Sequence, residues 1–272
     1  MMSVTPPADL TALKAKQQAT WASGNYSVIG TTLQVTGETL CDAVDFSAGQ
    51  LVLDVAAGNG NAALAAARRG AVVTATDYVP GLLDVAKTRA LADGVEIESQ
   101  VADAEALPFD AQSFDVVLST FGVMFTPDQE QAASELRRVC RKGGKIGFTA
   151  WTPDSFIGQM FKIVGTYIAP PAGVRSPLLW GDESRVAELF HDDASMQTER
   201  LDFFFRYRSA RHWLDTMRSY YGPTNKAFAA LDGEALQALD EDLIGLANDL
   251  NTATDGTLRV PSTYLQTIVT RS

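Results

Sequence analysis

Apolar runs alternate with stretches of helical periodicity over the first 151 residues of the chain. Leu51–Val55 is an apolar run typical of a strand buried on both faces. The turn Gly58-Asn59-Gly60 interrupts it, alanine-rich residues 61–69 predict a helix, and residues 71–76 predict a second buried strand. A βαβ unit with a glycine turn at the carboxyl end of its first strand is typical of a nucleotide-type binding site.

The same alternation continues on both sides of this unit. Helices are predicted over 9–22, 32–44 and 182–190, and one helix begins at Pro80 and ends before Gly94. Another is predicted to begin with a capping box in which Thr126 is the cap. Further strands are predicted over 95–101, 114–118, 145–151, 199–207 and 263–270. This alternation predicts an α/β fold with a mainly parallel, doubly wound sheet.

Three segments follow from this pattern. Residues 1–45 are predicted to form an N-terminal helical lid, 46–151 the cofactor-binding core, and 152–272 the rest of the sheet. Residues 152–181 are rich in proline and glycine, so we expect an irregular excursion there. Between the last two strands, about 208–256, two helical patterns predict an inserted acceptor-binding cap.

Charge and composition exclude several classes of partner. The formal net charge is −11 and no Lys/Arg cluster exceeds a pair, which argues against nucleic acid. The two cysteines show no zinc spacing, so no metal is expected. No basic leader and no apolar run of about 18 residues occurs, so no membrane association is expected. We expect a cytoplasmic monomer or homodimer that acts on a small molecule.

The glycine turn is compatible with two different cofactors. Residues 58–63 satisfy G-x-G-x-x-A and Asp77 follows Gly58 by nineteen residues, as in NAD(P)-dependent oxidoreductases. Asp54, inside the first strand, needs a partner if it is buried. A cationic ligand such as S-adenosylmethionine would supply that partner, whereas the pyrophosphate of NAD would oppose it.

Five ordered segments decide between these cofactors. They read LDVAAGNGN, ATDYVPGLL, VADAEALPF, FDVVLSTFGVMF and ELRRVCRKGGKIGF. Together they resemble the class I S-adenosylmethionine-dependent methyltransferases, in particular the small-molecule branch related to the ubiquinone/menaquinone C-methyltransferases. The resemblance covers residues 45–151. It implies a Rossmann-like sheet of seven strands whose last strand is antiparallel and lies between two others.

The resemblance also implies a role for each motif residue. The turn from Ala56 to Gly60 would lie under the methionine and ribose, Asp77 would accept from both ribose hydroxyls, and Asp103 would bind the adenine amino group. The family usually has glycine where this chain has Ala56, which is tolerable if its φ is negative. The expected cofactor-binding residues are Tyr26, Asp54, Ala56, Gly58, Asn59, Gly60, Asp77, Tyr78, Asp103, Ala104, Glu105, Ser119 and Phe121.

The implied reaction is an in-line displacement that moves a methyl group to O, N or C of a small apolar or aromatic metabolite and leaves S-adenosylhomocysteine. Such a transfer depends mainly on proximity and orientation. No catalytic residue is identified, and His212 is the candidate base. The expected acceptor residues are Met124, Trp151, Trp213 and Tyr220. The oxidoreductase stays open as an alternative, as does a non-catalytic protein that only binds the cofactor.

Overall fold

The computed structural model describes residues 10–171 and 173–272 and places seven strands in one mixed sheet. The strands are β1 (Leu51–Val55), β2 (Val72–Asp77), β3 (Glu98–Val101), β4 (Phe114–Thr120), β5 (Cys140–Trp151), β6 (Ser195–Tyr207) and β7 (Leu258–Thr270). Their order across the sheet is β3-β2-β1-β4-β5-β7-β6. β1 to β5 pair in parallel, whereas β7 is antiparallel to both β5 and β6.

Eleven α-helices surround the sheet in the described part of the chain. They are α1 (Leu10–Trp21), α2 (Ser27–Gly30), α3 (Gln34–Val44), α4 (Asn61–Arg68), α5 (Pro80–Asp93), α6 (Gln129–Val139), α7 (Phe156–Tyr167), α8 (Glu183–Leu189), α9 (Ala210–Tyr220), α10 (Gly222–Ala229) and α11 (Gly233–Asp249). Short 3₁₀ turns lie at Thr31–Leu33, Val123–Phe125 and Pro177–Gly181.

Two apolar clusters fill the space between sheet and helices. One joins the sheet to α3 and α4, where small side chains such as Ala62 and Ala66 are fully buried. The other is larger and aromatic, and it joins β4, β5 and β7 to helices that include α6, α7, α9 and α11. Large fully buried side chains such as Phe148 and Trp213 belong to it, and they contribute most of the apolar burial there.

The predicted fold is confirmed. The sheet has seven strands, and β7 lies antiparallel between β5 and β6, as the family resemblance implies. The start of α5 at Pro80 and its end before Gly94 are also confirmed.

Three local predictions were wrong. Residues 152–181 are not irregular throughout, because Ser155 caps α7 by accepting a hydrogen bond from the amide of Gly158. The inserted segment holds three helices rather than two, since α10 begins at once at Gly222. The helix after β4 begins at Gln129, and Asp128 rather than Thr126 is its cap. The amide of Asp128 is held by Glu105 Oε1 at 2.8 Å, which fixes this start.

In the described ranges, no helix is both long and apolar enough to cross a membrane. Cys41 lies in α3, and Cys140 is the first residue of β5. Both thiols are buried, and burial raises the pKa of each to about 12, so neither is reactive at neutral pH.

Candidate active site

A cleft of about 800 Å³, open to solvent, lies at the carboxyl ends of β1, β2 and β4. This is the edge at which open α/β sheets bind ligands. The residues that line it are Lys14, Gln17, Trp21, Tyr26, Ala56, Ala57, Gly58, Asn59, Asn61, Asp77, Tyr78, Leu82, Ala102, Asp103, Ala104, Thr120, Phe121, Gly122, Phe125, Thr126 and Pro127.

Asp77, the last residue of β2, ties the glycine turn to the sheet. Its Oδ2 accepts a hydrogen bond from the amide of Gly58 at 2.9 Å, and its Oδ1 accepts from the amide of Val79 at 2.8 Å. Burial outweighs these hydrogen bonds and raises the pKa of Asp77 to about 6. The carboxylate is therefore mostly charged at neutral pH and borders the cleft.

Arg89 of α5 supports the turn from below. Its Nη1 donates to the carbonyl oxygen of Asn59 at 2.6 Å and to Oδ1 of Asn61 at 2.9 Å. The amide of the Asn61 side chain in turn donates to the carbonyl oxygen of Gly30 at 2.7 Å. The glycine turn is thus joined to α2 on one side and to α5 on the other.

Two buried polar atoms near the turn have no hydrogen-bond partner in residues 10–171 and 173–272: Oδ1 of Asp54 and Nδ2 of Asn59. Asn59 lines the cleft, whereas Asp54 is fully buried and does not. Oδ2 of Asp54 accepts from the amide of Ala63, at the start of α4, at 2.8 Å. Burial, and to a lesser degree the charge of Asp77, raises the pKa of Asp54 to about 7.

We expect Asp54→Asn to raise the free energy of unfolding at pH 8 by about 2 kcal/mol and to change it little at pH 5. The folded state holds the Asp54 proton more tightly than the unfolded chain, whose ordinary pKa is 3.8. Wild-type stability therefore falls as the pH rises from about 4 to about 7. Asparagine keeps an oxygen for the Ala63 amide and carries no charge. Urea unfolding at both pH values measures the difference.

Asp115→Asn is the matched control for this experiment. Arg141 and the amide of Leu51 hold the pKa of Asp115 below its usual range, so this carboxylate stabilises the fold at pH 8. The same substitution there should lower stability at pH 8. A less stable Asp54→Asn protein at pH 8 would show that the buried charge of Asp54 is favourable.

The backbone is strained at two positions that face the cleft. Ala56 has φ +52° and Phe121 has φ +54°, both in the left-handed region. The condition under which alanine would be tolerable at this position, a negative φ, is therefore not met. Gly122 lets its own backbone lie close to that of Ala56, since a β-carbon on residue 122 would lie 2.2 Å from the carbonyl oxygen of Ala56. Phe121 is held by stacking on Trp151, with ring centroids 4.1 Å apart.

Ala56→Gly should increase the free energy of unfolding by roughly 0.5–1 kcal/mol. Glycine removes the cost of a β-carbon at positive φ, and this gain exceeds the added entropy of the unfolded chain. Chemical denaturation measures the change. Ala57→Gly is the control, because Ala57 also lines the cleft but does not have a positive φ. The Ala57→Gly protein should be less stable than the wild type. Equal losses in both variants would show that Ala56 is unstrained.

Helix α1 lies across the mouth of the cleft and is held there by polar contacts as well as by the ring of Trp21. None of its residues is fully buried. Lys14 Nζ lies 2.6 Å from Asp103 Oδ2 and 2.5 Å from Glu105 Oε2. Gln17 donates to the carbonyl oxygen of Phe125 at 3.2 Å, and Gln18 donates to that of Tyr78. The helix therefore contacts three loops of the ligand edge.

The residues predicted from sequence to bind the cofactor fall into two groups. Nine of them line the cleft: Tyr26, Ala56, Gly58, Asn59, Asp77, Tyr78, Asp103, Ala104 and Phe121. The other four support it from behind. Asp54 accepts a hydrogen bond from the first turn of α4, and Glu105 forms an ion pair with Lys14. The hydroxyl of Ser119 donates to the Val55 carbonyl oxygen and accepts from the Val123 amide. Gly60 packs against Ala86.

The predicted acceptor and catalytic residues are more scattered. Trp151 lines a second, apolar chamber beside the cleft. Met124 and Trp213 are fully buried in the aromatic cluster, and Tyr220 is 39% exposed. His212 lines neither space; its Nδ1 accepts from the amide of Arg208 and its ring contacts Tyr207.

The sequence analysis missed Lys14 and Gln17, which line the cleft, and Arg89, which supports it. Lys14 and Gln17 stand on a helix with little amphipathic pattern, so the sequence alone did not indicate which face meets the sheet. Arg89 lies in the second half of the helix predicted between Pro80 and Gly94, and no local pattern indicates that its side chain reaches the glycine turn.

Comparison with known proteins agrees with this geometry. A family model described as "Methyltransferase domain" matches residues 53–148. An uncharacterized protein of Mycobacterium tuberculosis, Rv1403c, is 38% identical over 255 residues, which cover 92% of this chain and 93% of the relative. A demethylmenaquinone methyltransferase of Clavibacter sepedonicus is 39% identical over 129 residues, covering 46% of this chain and 52% of that protein.

Two solved structures share the fold. The YcgJ protein of Bacillus subtilis has a TM-score of 0.60 at 18% identity, covering 89% of this chain and 99% of that one. Phosphoethanolamine N-methyltransferase 2 of Haemonchus contortus, solved with phosphomonomethylethanolamine and S-adenosylhomocysteine, has a TM-score of 0.54 at 19% identity, covering 87% of this chain and 52% of that one. The matched domain, the sheet order and the motifs around Gly58 and Asp77 identify this chain as a member of the class I S-adenosylmethionine-dependent methyltransferases.

Proposed function

We propose that this protein transfers the methyl group of S-adenosylmethionine to O, N or C of a small apolar or aromatic metabolite. The observation that carries the proposal is the composition of the cleft. Its floor holds the glycine turn with the carboxylates of Asp77 and Asp103, and its wall toward α1 and α2 is aromatic. A polar cofactor and an apolar acceptor would meet at that wall.

The charges in the cleft favour a sulfonium cofactor over a dinucleotide. Among the described residues that line it, Lys14 is the one cation, and it is already paired with Asp103 and Glu105. A pyrophosphate would therefore meet two carboxylates and no free positive charge. The unpartnered Nδ2 of Asn59 is a donor suited to the carboxylate of the methionine moiety, and Asp77 is an acceptor suited to ribose hydroxyls.

When bound, the cofactor supplies a methyl group on a positively charged sulfur. The acceptor would supply the electron pair of the new bond to the methyl carbon, from oxygen, nitrogen or a carbon–carbon double bond, and the pair of the broken carbon–sulfur bond would stay on the neutral sulfur. The protein's part is to fix the two reactants in line and to exclude water. Within the described ranges no histidine lines the cleft, so a proton lost by the acceptor would pass to a carboxylate of the lining or to solvent.

The lid and the inserted segment complete this proposal. We assign the helices before residue 45 to covering the cofactor and the segment 208–256 to shaping the acceptor side. Trp21, at the end of α1, contacts Tyr221 between α9 and α10 with ring centroids 5.6 Å apart, so the two segments meet above the cleft.

Calorimetry with S-adenosylhomocysteine, S-adenosylmethionine and NADH tests the proposal. We expect micromolar dissociation constants for the first two and no heat for NADH. Transfer of tritiated methyl from S-adenosylmethionine to a panel of neutral phenols, amines and enols then tests turnover. Preference for NADH would refute the proposal, and tight cofactor binding without transfer to any acceptor would support a non-catalytic role instead.

A further inference from the structure

A second, smaller and apolar chamber adjoins the cleft, and we propose that it binds a single uncharged ring of the methyl acceptor. This inference rests on the proposed methyl transfer, because it names the class of substrate for the same site. The chamber is bounded by the aromatic wall of the cleft, the end of β5, β6 and the helices α2, α7 and α9.

The lining of this chamber has no charged side chain. Its members are aromatic or aliphatic, for example Leu33, Ile157, Phe205 and Met217. Its only titratable groups are the phenols of Tyr26 and Tyr221. Burial raises the pKa of Tyr26 to about 12 and that of Tyr221 well above its usual range, so both stay neutral. A carboxylate or phosphate placed there would lose its hydration without gaining a partner.

The chamber and the cleft share one wall. Trp21, Tyr26, Phe121 and Phe125 line both spaces. Within this wall the Trp21 ring meets Phe125 edge-on at 4.8 Å and Tyr26 at 5.7 Å. Tyr26 also lies over the glycine turn, since a β-carbon on Gly58 would be 3.5 Å from its ring. A ring in the chamber would therefore lie beside residues that border the glycine turn.

The size of the chamber limits its occupant. Its volume is less than half that of the cleft. It would admit one six-membered ring rather than a fused ring system. Its aromatic lining favours a ring by stacked and edge-on contacts, each worth about 0.5–1.5 kcal/mol beyond area burial.

Three probes that share a phenol ring test the charge preference: p-cresol, 4-hydroxybenzoate and tyramine. Each is titrated into the full-length protein with and without saturating S-adenosylhomocysteine, with ligand-observed NMR as the readout. We expect p-cresol to bind at least tenfold more tightly than the anionic and the cationic probe. Equal binding of the three, or tightest binding of tyramine, would overturn the proposal; the latter would indicate a cage for cations.

Two filling variants test the location. Met217→Trp and Ile157→Phe add volume to the chamber at residues that do not line the cleft. Each should weaken p-cresol binding at least fivefold and leave the dissociation constant of S-adenosylhomocysteine within twofold. Val35→Trp is the control, because Val35 is 57% exposed and lies outside the chamber. Unchanged p-cresol binding in both filled variants, with S-adenosylhomocysteine binding intact, would place the ring elsewhere.

These outcomes separate the two proposals. If S-adenosylhomocysteine fails to bind the wild-type protein, the proposed function fails, while the p-cresol titrations without it still test the chamber. If S-adenosylhomocysteine binds but the probes show no preference, only the substrate class is refuted.

Discussion

Asp77→Ala should weaken the binding of S-adenosylhomocysteine at least tenfold. The variant removes a carboxylate that would accept two ribose hydroxyls, and hydrogen bonds to a charged group contribute about 1.5–3 kcal/mol each. It also frees the amide of Gly58, which Asp77 Oδ2 holds at 2.9 Å, and so loosens the glycine turn. Isothermal titration at pH 7.5 measures the loss.

The control for this variant is Asp115→Ala, at the opposite edge of the sheet. Asp115 also accepts from a backbone amide, that of Leu51, but it pairs with Arg141 and lies far from the cleft lining. Its loss should leave the dissociation constant within twofold. If the Asp77 and Asp115 variants lose affinity equally, the effect reflects general destabilisation and the assigned role of Asp77 is refuted.

The charge of Asp77 also predicts a pH dependence. Its pKa in the free protein is about 6, and ribose hydroxyls donate to the charged form, so the ligand favours the deprotonated state. Affinity should hold above pH 7 and fall as the pH drops through 6. Because Asp77→Ala removes this group, the part of the pH dependence that it causes should disappear in the variant.

Gly222→Ala should destabilise the protein by about 2–3 kcal/mol and displace the lid helix. A β-carbon at residue 222 would lie 2.1 Å from the carbonyl oxygen of Thr20, near the end of α1, which is backbone and has little freedom to move. The displaced helix would draw Lys14 and Trp21 away from the cleft. Urea unfolding measures the stability loss, and stopped-flow release of S-adenosylhomocysteine should become several-fold faster.

Gly245→Ala is the matched control. Gly245 lies within α11, and apart from its chain neighbours and the backbone of its own helix no heavy atom of the described residues lies within 4 Å of the β-carbon position. Alanine there should stabilise the helix by about 0.5–1 kcal/mol and leave the release rate unchanged. Faster release from the Gly245 variant, or normal release and stability in the Gly222 variant, would contradict the role given to the α1–α10 contact.

The sheet could be predicted because its signals are local. The apolar runs of β1, β2 and β4, the glycine turn and the Pro80-to-Gly94 helix each follow from neighbouring residues. Helix α7 could not be predicted, because two glycines and several β-branched residues lower its intrinsic helix propensity. Its stability comes from burial of Phe156 and Met160 against the sheet.

The candidate site also has a part that could be predicted from local sequence and a part that could not. Asp77 and Gly58 have fixed spacing along the chain, so the sequence predicts that they meet. The ion pair of Lys14 with Glu105 joins residues 91 positions apart, and the aromatic wall gathers Trp21 from α1 and Phe125 from the turn after β4. Only the tertiary fold brings such residues together. The positive φ of Ala56 likewise depends on the space that Gly122 provides.

The contacts of α1 bear on the speed of turnover. Asp103, the carboxylate proposed for the adenine amino group, is also a partner of Lys14, so the helix and the nucleoside share one acceptor. Besides the aromatic contacts of Trp21, α1 is docked by the ion pairs of Lys14, which salt weakens. Release of S-adenosylhomocysteine should thus become faster as the ionic strength rises. The salt concentration would then set the turnover rate of the enzyme.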